Sequence, residues 1–209
     1  MNTVKIMLTV VLLSLSGCTL EPKTSYFPTS FCCGPGDEFH NSWYAQTLDR
    51  MNEPSLFSVA QATKKNVVRF LWLRTFDQPV AFRLTFNSDG SGVLETKILI
   101  GPGEDDPGRL RHQSAQAVPA QELVNVKAAL DRASHWFSDD DLPPRPLGFD
   151  GAEWVFEAIL NHQYHVLARW SPGANSNNNS DPDAIIDSDF HGLGMALINL
   201  SQIDFESVY

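Results

Sequence analysis

The chain has 209 residues, 43% of them apolar and 19% charged, a size and balance that suit one globular domain with a real core. Twenty-five acidic against 15 basic residues give a net charge of −10 with histidine neutral. A surface this acidic repels nucleic acid and anionic headgroups, which excludes nucleic-acid binding as a working reading and is compatible with cationic partners or divalent cations.

The chain opens with a short region whose one charge is Lys5, followed by an apolar run from Ile6 to Leu15 interrupted by Thr9 and Ser14. Ten such residues make about 15 Å of helix, half of a ~30 Å hydrocarbon core, so the run has the length of a signal-peptide core rather than of a membrane span. It ends in Leu15-Ser16-Gly17-Cys18, which resembles the lipobox of bacterial lipoproteins. The resemblance implies a signal peptide over residues 1–17, cleavage before Cys18, a diacylglycerol on the Cys18 sulfur and acylation of the new amine. Several acyl chains at roughly 0.8 kcal/mol per buried CH₂ give stable attachment, where one is marginal. In Gram-negative members an Asp after the cysteine usually retains the protein at the inner membrane. Thr19 stands there instead, which leans toward the outer membrane. The competing readings are an ordinary secretory signal with a chance cysteine and a short anchor helix.

Residues 18–41 read as a lipidated tether, rich in Pro, Gly, Ser and Thr and without an apolar period; residues 42–209 read as the single domain. Cys32 and Cys33 have no third cysteine to pair with apart from the lipidated Cys18. Adjacent α-carbons lie ~3.8 Å apart, below the ~4.4–6.8 Å range of ordinary disulfides. Free thiols, a strained vicinal bond, an intermolecular bridge and, least favoured, a metal site with His40 all remain open, since the last lacks the usual spaced ligands.

Ser42 is the expected cap of a short helix carrying Tyr44, Leu48 and Met51 at i, i+4, i+7, with Pro54 beyond it. Val67 to Phe76 is dense in β-branched and aromatic residues. Val80, Phe82, Leu84 and Phe86 alternate with Ala81, Arg83, Thr85 and Asn87, the period of a strand buried on one face. Ser88-Asp89-Gly90-Ser91-Gly92 supplies a turn, and Val93 to Ile100 runs back. After an acidic loop around Glu104-Asp105-Asp106, Leu110 to Val118 is a weaker fourth strand. A helix follows Pro119, with Leu123, Val126, Leu130, Ala133 and Phe137 on one stripe, closed by Asp139-Asp140-Asp141 and Pro143-Pro144. A second hairpin joins Ala152–Leu160 to Gln163–Trp170 through Asn161-His162. That register sets Trp154 opposite Arg169, in reach of a cation–π contact. After a Gly/Asn/Ser/Asp loop, the last helix places Ile186, Phe190, Leu193, Leu197 and Leu200 on one stripe, with Gly192 and Gly194 unfavourable by about 1 kcal/mol each. The expected fold is α+β: a mostly antiparallel sheet built from two hairpin blocks, with helices packed on one face.

The segments Phe70-Leu71-Trp72-Leu73-Arg74-Thr75-Phe76, Asp150-Gly151-Ala152-Glu153-Trp154, Tyr164-His165-Val166 and Arg169-Trp170-Ser171-Pro172 resemble those of a widespread group of bacterial exported proteins of uncharacterised activity. The likeness covers most of the chain after about residue 43 and implies a shared fold, with no activity or site residue to carry over.

No nucleophile elbow, Ser-x-x-Lys, phosphate loop with Lys or His-Glu-x-x-His helix is present. His162 and His165 point to opposite faces of a strand and cannot share an ion. Asp181, Asp183, Asp187 and Asp189 have the oxygen chemistry for Ca²⁺ but not EF-hand spacing, and read better as helix-dipole and capping residues. Asp150, Glu153, Glu157, His165 and Arg169 sit beside Trp154, Tyr164 and Trp170. Trp154, His165 and Arg169 share one face, and Glu153 and Glu157 the other. The rings are either a binding surface or, the preferred reading, core beneath the helices. The sequence calls for no cofactor and no metal. It favours a non-catalytic, membrane-anchored envelope lipoprotein whose domain binds an envelope protein partner. The alternative is a surface-tethered hydrolase using His135, His165 or a carboxylate assembled by the fold.

Overall fold

In the computed structural model, residues 25–29, 31, 38–101, 106–138, 150–173, 182–205 and 208 are described. Helix α1 (Glu38–Arg50) and the single turn α2 (Leu56–Val59) precede strands β1 (Val67–Arg74), β2 (Val80–Phe86), β3 (Gly92–Ile100) and β4 (Arg109–Val118). Helix α3 (Val124–Ser134) runs into a 3-10 turn at His135–Ser138; β5 (Ala152–Leu160), β6 (Gln163–Trp170) and α4 (Pro182–Ser201) follow. The fold is α+β, as expected. The six strands form one antiparallel sheet in the order β4-β3-β2-β1-β5-β6, so the two hairpin blocks join where β1 pairs β5.

That central pairing explains why β1 and β5 are apolar along almost their whole length: both faces are covered. On the first face Phe70, Trp72, Phe82, Trp154 and Phe156 pack against Val126, Leu130 and Ala133 of α3 and Ile186, Phe190, Leu193 and Leu197 of α4. Phe70 and Phe156, opposite one another in the register, stack with ring centroids 4.7 Å apart. Gly194 is required here. A Cβ on it would lie 2.2 Å from Cζ3 of Trp154, so its absence lets α4 settle onto the indole.

The helices that follow the hairpin blocks thus cover one face, as anticipated, and α1 adds a partial layer on the other. Tyr44 and Leu48 of α1, with Met51 just beyond it, pack on Leu71, Leu73, Ala81, Leu99, Val155 and Ala168. The described part of the expected tether belongs to this layer. Phe27 is buried, its ring 6.2 Å from that of Tyr44, and the Tyr26 hydroxyl donates to the Glu53 carbonyl at 2.9 Å. Ser42 does not cap the helix, which begins at Glu38; it lies inside α1 and its hydroxyl accepts from Gln46 Nε2 at 3.1 Å. The Asn161-His162 turn has φ of 51° and 66° at its two central residues, the left-handed pair that a two-residue hairpin needs. The expected Asp139–Asp141 and Pro143-Pro144 stop lies outside the described residues.

Candidate functional site

Two features occupy the α1 face, one at each end of the helix. The first is a rung of charge. Glu157 of β5, Arg69 of β1, Arg83 of β2 and Glu95 of β3 are successive cross-strand neighbours. Arg69 Nε donates to Glu157 Oε2 at 2.7 Å, and Nη2 donates to the same oxygen. Arg83 Nη2 lies 2.6 Å from Glu95 Oε2. Two arginines directly opposite one another destabilise a sheet unless a counter-charge joins them. Glu53 does so: its Oε2 accepts from Arg69 Nη1 at 3.2 Å and from Arg83 Nε at 2.8 Å, and its Oε1 lies 2.9 Å from Lys97 Nζ. Three carboxylates thus balance three cations. Asn52 directs this arrangement. It takes φ of 52° after the last turn of α1, and the Glu53 N–H then closes back on the Leu48 carbonyl at 2.9 Å.

Burial disfavours ionised Glu53, but Arg69, Arg83 and Lys97 together outweigh it and hold its carboxyl below the usual range. Burial likewise disfavours charge on Arg69, which Glu157 and Glu53 more than offset, so the guanidinium is held above its ordinary value. Burial raises the Glu157 carboxyl against the pull of Arg69. Tyr164 donates to Glu157 Oε1 at 2.8 Å, and its own ionisation is pushed far up by burial and then by that carboxylate. A recess of about 370 Å³ beside Tyr26 and Asp49 reaches Glu53, whose oxygens are already committed to three cations. The rung is chemically saturated and holds α1 to the sheet.

The second feature lies at the other end of α1, a cleft of about 730 Å³ between the helix, the β1–β2 turn and the start of β4. Trp43 of α1, Phe76 of the turn and Trp170 at the end of β6 supply its rings. Phe76 is 76% exposed. Phe39, 64% exposed, stacks on Trp43 at 6.5 Å and extends the aromatic surface along the helix. Leu73, Pro79 and Pro107 add apolar lining, and the exposed Asp77 and Asp106 add charge. Arg74, the one cation among the described lining residues, is held at 4.3 Å over the Trp72 ring; its Nη2 donates to the Gln78 carbonyl at 3.0 Å and its Nη1 lies 3.6 Å from Asp77.

The walls are locked by main-chain bonds. The Thr75 N–H and hydroxyl both donate to the Gly151 carbonyl, at 3.0 and 2.9 Å. The Ser171 N–H donates to the Ala152 carbonyl at 2.7 Å, and the Ala152 N–H donates to Ser171 Oγ at 2.9 Å. Gly151 leaves the space that Trp170 uses: a Cβ there would lie 3.0 Å from the indole nitrogen. Segments 70–76, 150–154 and 169–172 therefore meet beside this cleft.

The other residues singled out in the sequence are dispersed. Cys18, Cys32, Cys33 and Asp181 lie outside the described residues. His40 sits in α1 between Phe39 and Tyr44, with centroids 5.6 and 6.0 Å away. His135 Nδ1 lies 2.9 Å from the Asp131 carbonyl at the end of α3, and the His165 ring packs 5.5 Å from Phe137. The structure thus places both histidines of the hydrolase alternative in contacts with helix-end backbone or with a ring. His162 Nδ1 lies 2.8 Å from the Thr63 carbonyl. Among the described residues no group of three metal-ligating side chains converges. Trp154 does oppose Arg169, but the cation–π contact is replaced. The indole stacks on His191 at 5.7 Å, while the buried guanidinium lies 3.6 Å from both Asp183 and Asp187 of α4. Asp189 accepts from Trp136 Nε1 at 2.9 Å and lies 3.5 Å from Arg132. The described aspartates at the start of α4 therefore serve side-chain pairing. Of the aromatic group on the second hairpin, Trp154 is core, Tyr164 belongs to the charged rung, and Trp170 lines the cleft.

Sequence reasoning missed Glu53, Arg69, Arg83 and Lys97 as a unit, and Trp43 and Phe76 as partners of Trp170. One signal was present: a single arginine inside the apolar run of β1 and a single glutamate inside the middle of β5 demand each other once the strands pair. No family model matches the chain, and no curated protein is similar to it in sequence.

Proposed function

We propose that the chain is a bacterial envelope lipoprotein, anchored through lipid on Cys18, whose domain binds an envelope protein through the aromatic cleft. The observation that carries the binding part is the exposure of Phe76 and Phe39 beside Trp43 and Trp170. Large rings left in water around a concave surface are the chemistry of recognition, since burying them against a partner recovers the free energy that exposure forgoes. The anchor rests on the Leu15-Ser16-Gly17-Cys18 motif and the short apolar run before it, and Thr19 favours the outer membrane. A module of this kind works by position: the lipid holds it at one surface and the cleft selects what it meets there.

Replacing Phe76 by a photo-crosslinking residue in intact cells tests the binding reading. A discrete adduct is expected, and it should be lost when Trp170 is changed to Ala. No adduct from residue 76 or from residue 39 counts against the reading. For the anchor, Cys18→Ser should abolish acyl labelling and release soluble protein; retention with the signal still attached would instead indicate a helical anchor.

A further inference from the structure

We infer that the corner around α2 docks on the bilayer that holds the lipid of Cys18, with Phe57 and Val59 entering its headgroup region and Lys64 and Lys65 meeting anionic headgroups. This rests on the anchor reading and adds to it the face of the domain that the lipid brings down. The chain leaves the anchor little slack. Six residues separate Cys18 from Ser25, and seven extended steps span at most about 25 Å. Ser25 is itself fixed, since its carbonyl accepts from Ser55 Oγ at 2.6 Å and from Ser58 Oγ at 3.0 Å. Ser58 stands between Phe57 and Val59 in α2. The start of the tether is therefore bonded to the turn that carries both apolar side chains, each 38% exposed, while Leu56 and Ala60 on either side are buried.

The charge of this corner differs from that of the whole chain. The Val59 carbonyl accepts from the N–H groups of Ala62 and Thr63 at 3.0 Å each, and the exposed Lys64 and Lys65 follow. Lys65 Nζ donates to Asn87 Oδ1 at 3.2 Å, a contact at the surface. The β5–β6 turn closes the corner through His162 Nδ1, 2.8 Å from the Thr63 carbonyl, and the Asn161 N–H, which donates to Asn66 Oδ1 at 3.1 Å. In a chain with 25 acidic residues, none occurs between Glu53 and Asp77 or between Glu157 and Trp170. On adjoining elements, Asp49 has Arg50 beside it and Asp89 lies in the field of Lys127. Charges more than about 10 Å from the headgroups are largely screened, so the local lysines outweigh the net charge of −10. A second exposed basic pair, Arg109 and Arg111, begins β4 at the opposite end of the strands. Two partly exposed apolar side chains are too little for a stable protein interface, which buries ~800 Å² on each partner. They suffice for a domain already held at the surface, because a short link gives an effective concentration on the order of mM. From this corner β1 runs from Val67 to Arg74 at the cleft, about 24 Å away, so docking turns the cleft outward.

The test uses the full lipidated chain in vesicles of phosphatidylcholine with and without phosphatidylglycerol. An environment-sensitive fluorescent residue replaces Phe57 in one variant and Phe76 in another, and lipids brominated on their acyl chains serve as quencher. Residue 57 is expected to be quenched on the anionic vesicles and residue 76 is not. Adding Lys64→Gln/Lys65→Gln should lower the ratio of docked to undocked domain about twentyfold. The same loss of charge at the far end, Arg109→Gln/Arg111→Gln, should leave that ratio unchanged. Thermal midpoints equal to that of the parent show that the charge variants are folded. Equal quenching at residues 57 and 76 overturns the inference, as does equal loss in the two charge variants or docking as strong without phosphatidylglycerol. A photo-crosslinking residue at position 57 that captures a protein instead of lipid in intact cells overturns it as well. Mass analysis separates the two readings. Lipid on Cys18 with residue 57 unquenched refutes the docking and leaves the anchor standing, whereas a bare Cys18 refutes both.

Discussion

Removing the Glu53 carboxylate tests whether the rung of charge holds the α1 layer to the sheet. In Glu53→Ala, Arg69 keeps Glu157 and the Pro54 carbonyl and Arg83 keeps Glu95, but the two guanidiniums are then neighbours on one rung without the carboxylate that joined them. Lys97, 4% exposed at its side chain, keeps the Asn52 carbonyl at 2.9 Å but no carboxylate among the described residues. Breaking a buried ion pair from one side costs about 3–5 kcal/mol, because the partner's charge stays buried. Arg83 is 15% exposed and gains some water on release, so the lower end applies, about 3 kcal/mol. Against a total of about 5–15 kcal/mol for a domain, this is a large fraction.

The assay is urea unfolding followed by the fluorescence of the buried Trp72 and Trp154. The midpoint should fall at unchanged slope, as it does when a variant loses stability without changing the surface exposed on unfolding. Adding Lys97→Met to Glu53→Ala should restore part of the loss, since it removes the cation left worst off. The pH dependence has a definite sign. The folded carboxyl of Glu53 lies below its unfolded value, so its contribution is full above the ordinary carboxylate pKa of about 4.3 and disappears as pH falls through the lower folded value. The gap between wild type and variant should close over that acid window. A loss below about 1 kcal/mol at pH 7, the scale of an exposed ion pair, would refute the view that Glu53 is the keystone of the rung.

Three further outcomes follow from the packing. Gly194→Ala gains about 1 kcal/mol of helix propensity, yet the new Cβ would sit 2.2 Å from Trp154 and 3.2 Å from Phe70, so thermal unfolding should show a net loss of about 1–3 kcal/mol. Tyr164→Phe removes a 2.8 Å bond to a buried carboxylate and should cost about 1.5 kcal/mol by urea unfolding; in the wild type, Tyr164 should resist ionisation in an alkaline absorbance titration beyond the usual phenol range, and the variant should lose that late step. Burial lowers the pKa of His191, so its contribution is present above the ordinary histidine value and is lost as pH falls through the folded one. Wild type should therefore lose stability on acidification from pH 7 toward 5 more steeply than His191→Gln, as read from thermal midpoints.

Much of the sheet is legible because its signals are local. The alternation in β2, the positive-φ pair at Asn161-His162 and the stripe of Ile186, Phe190, Leu193 and Leu197 each follow from neighbours along the chain. The opposition of Trp154 and Arg169 follows from that turn. What is not legible depends on layers. Whether Arg169 meets an indole or a carboxylate is decided by α4, which brings Asp183 and Asp187 to it. Phe27 sits in a stretch rich in Pro and Ser that looks like linker; it is buried because α1 lies next to it. Glu53 follows a helix end, precedes a proline and reads as solvent-facing. Its role appears only when Asn52 turns the chain so that residues 53, 69, 83, 97 and 157 meet. The cleft is hidden for the same reason, since Trp43, Phe76 and Trp170 come from three elements far apart in sequence.

The two features on the α1 face are one mechanical unit. Trp43 and Arg50 are separated by about 10 Å of helix, with the rung just beyond the C-terminal end and the cleft at the other. Apolar contacts such as those of Leu48 and Met51 on Leu71 and Leu99 stabilise the layer but are nondirectional, so they tolerate a small slide or roll of the helix. Glu53 does not tolerate it, because three cations from three strands fix both of its oxygens. Setting the C-terminal end of α1 in this way also sets the depth and rotation at which Trp43 stands in the cleft that Phe76 and Trp170 also line. Glu53→Ala, assayed in folded protein, should then weaken the adduct from residue 76. Phe76→Ala, which removes an exposed ring, should leave the unfolding midpoint where it was. Coupling in that one direction distinguishes a rung that positions the cleft from one that only stabilises the fold.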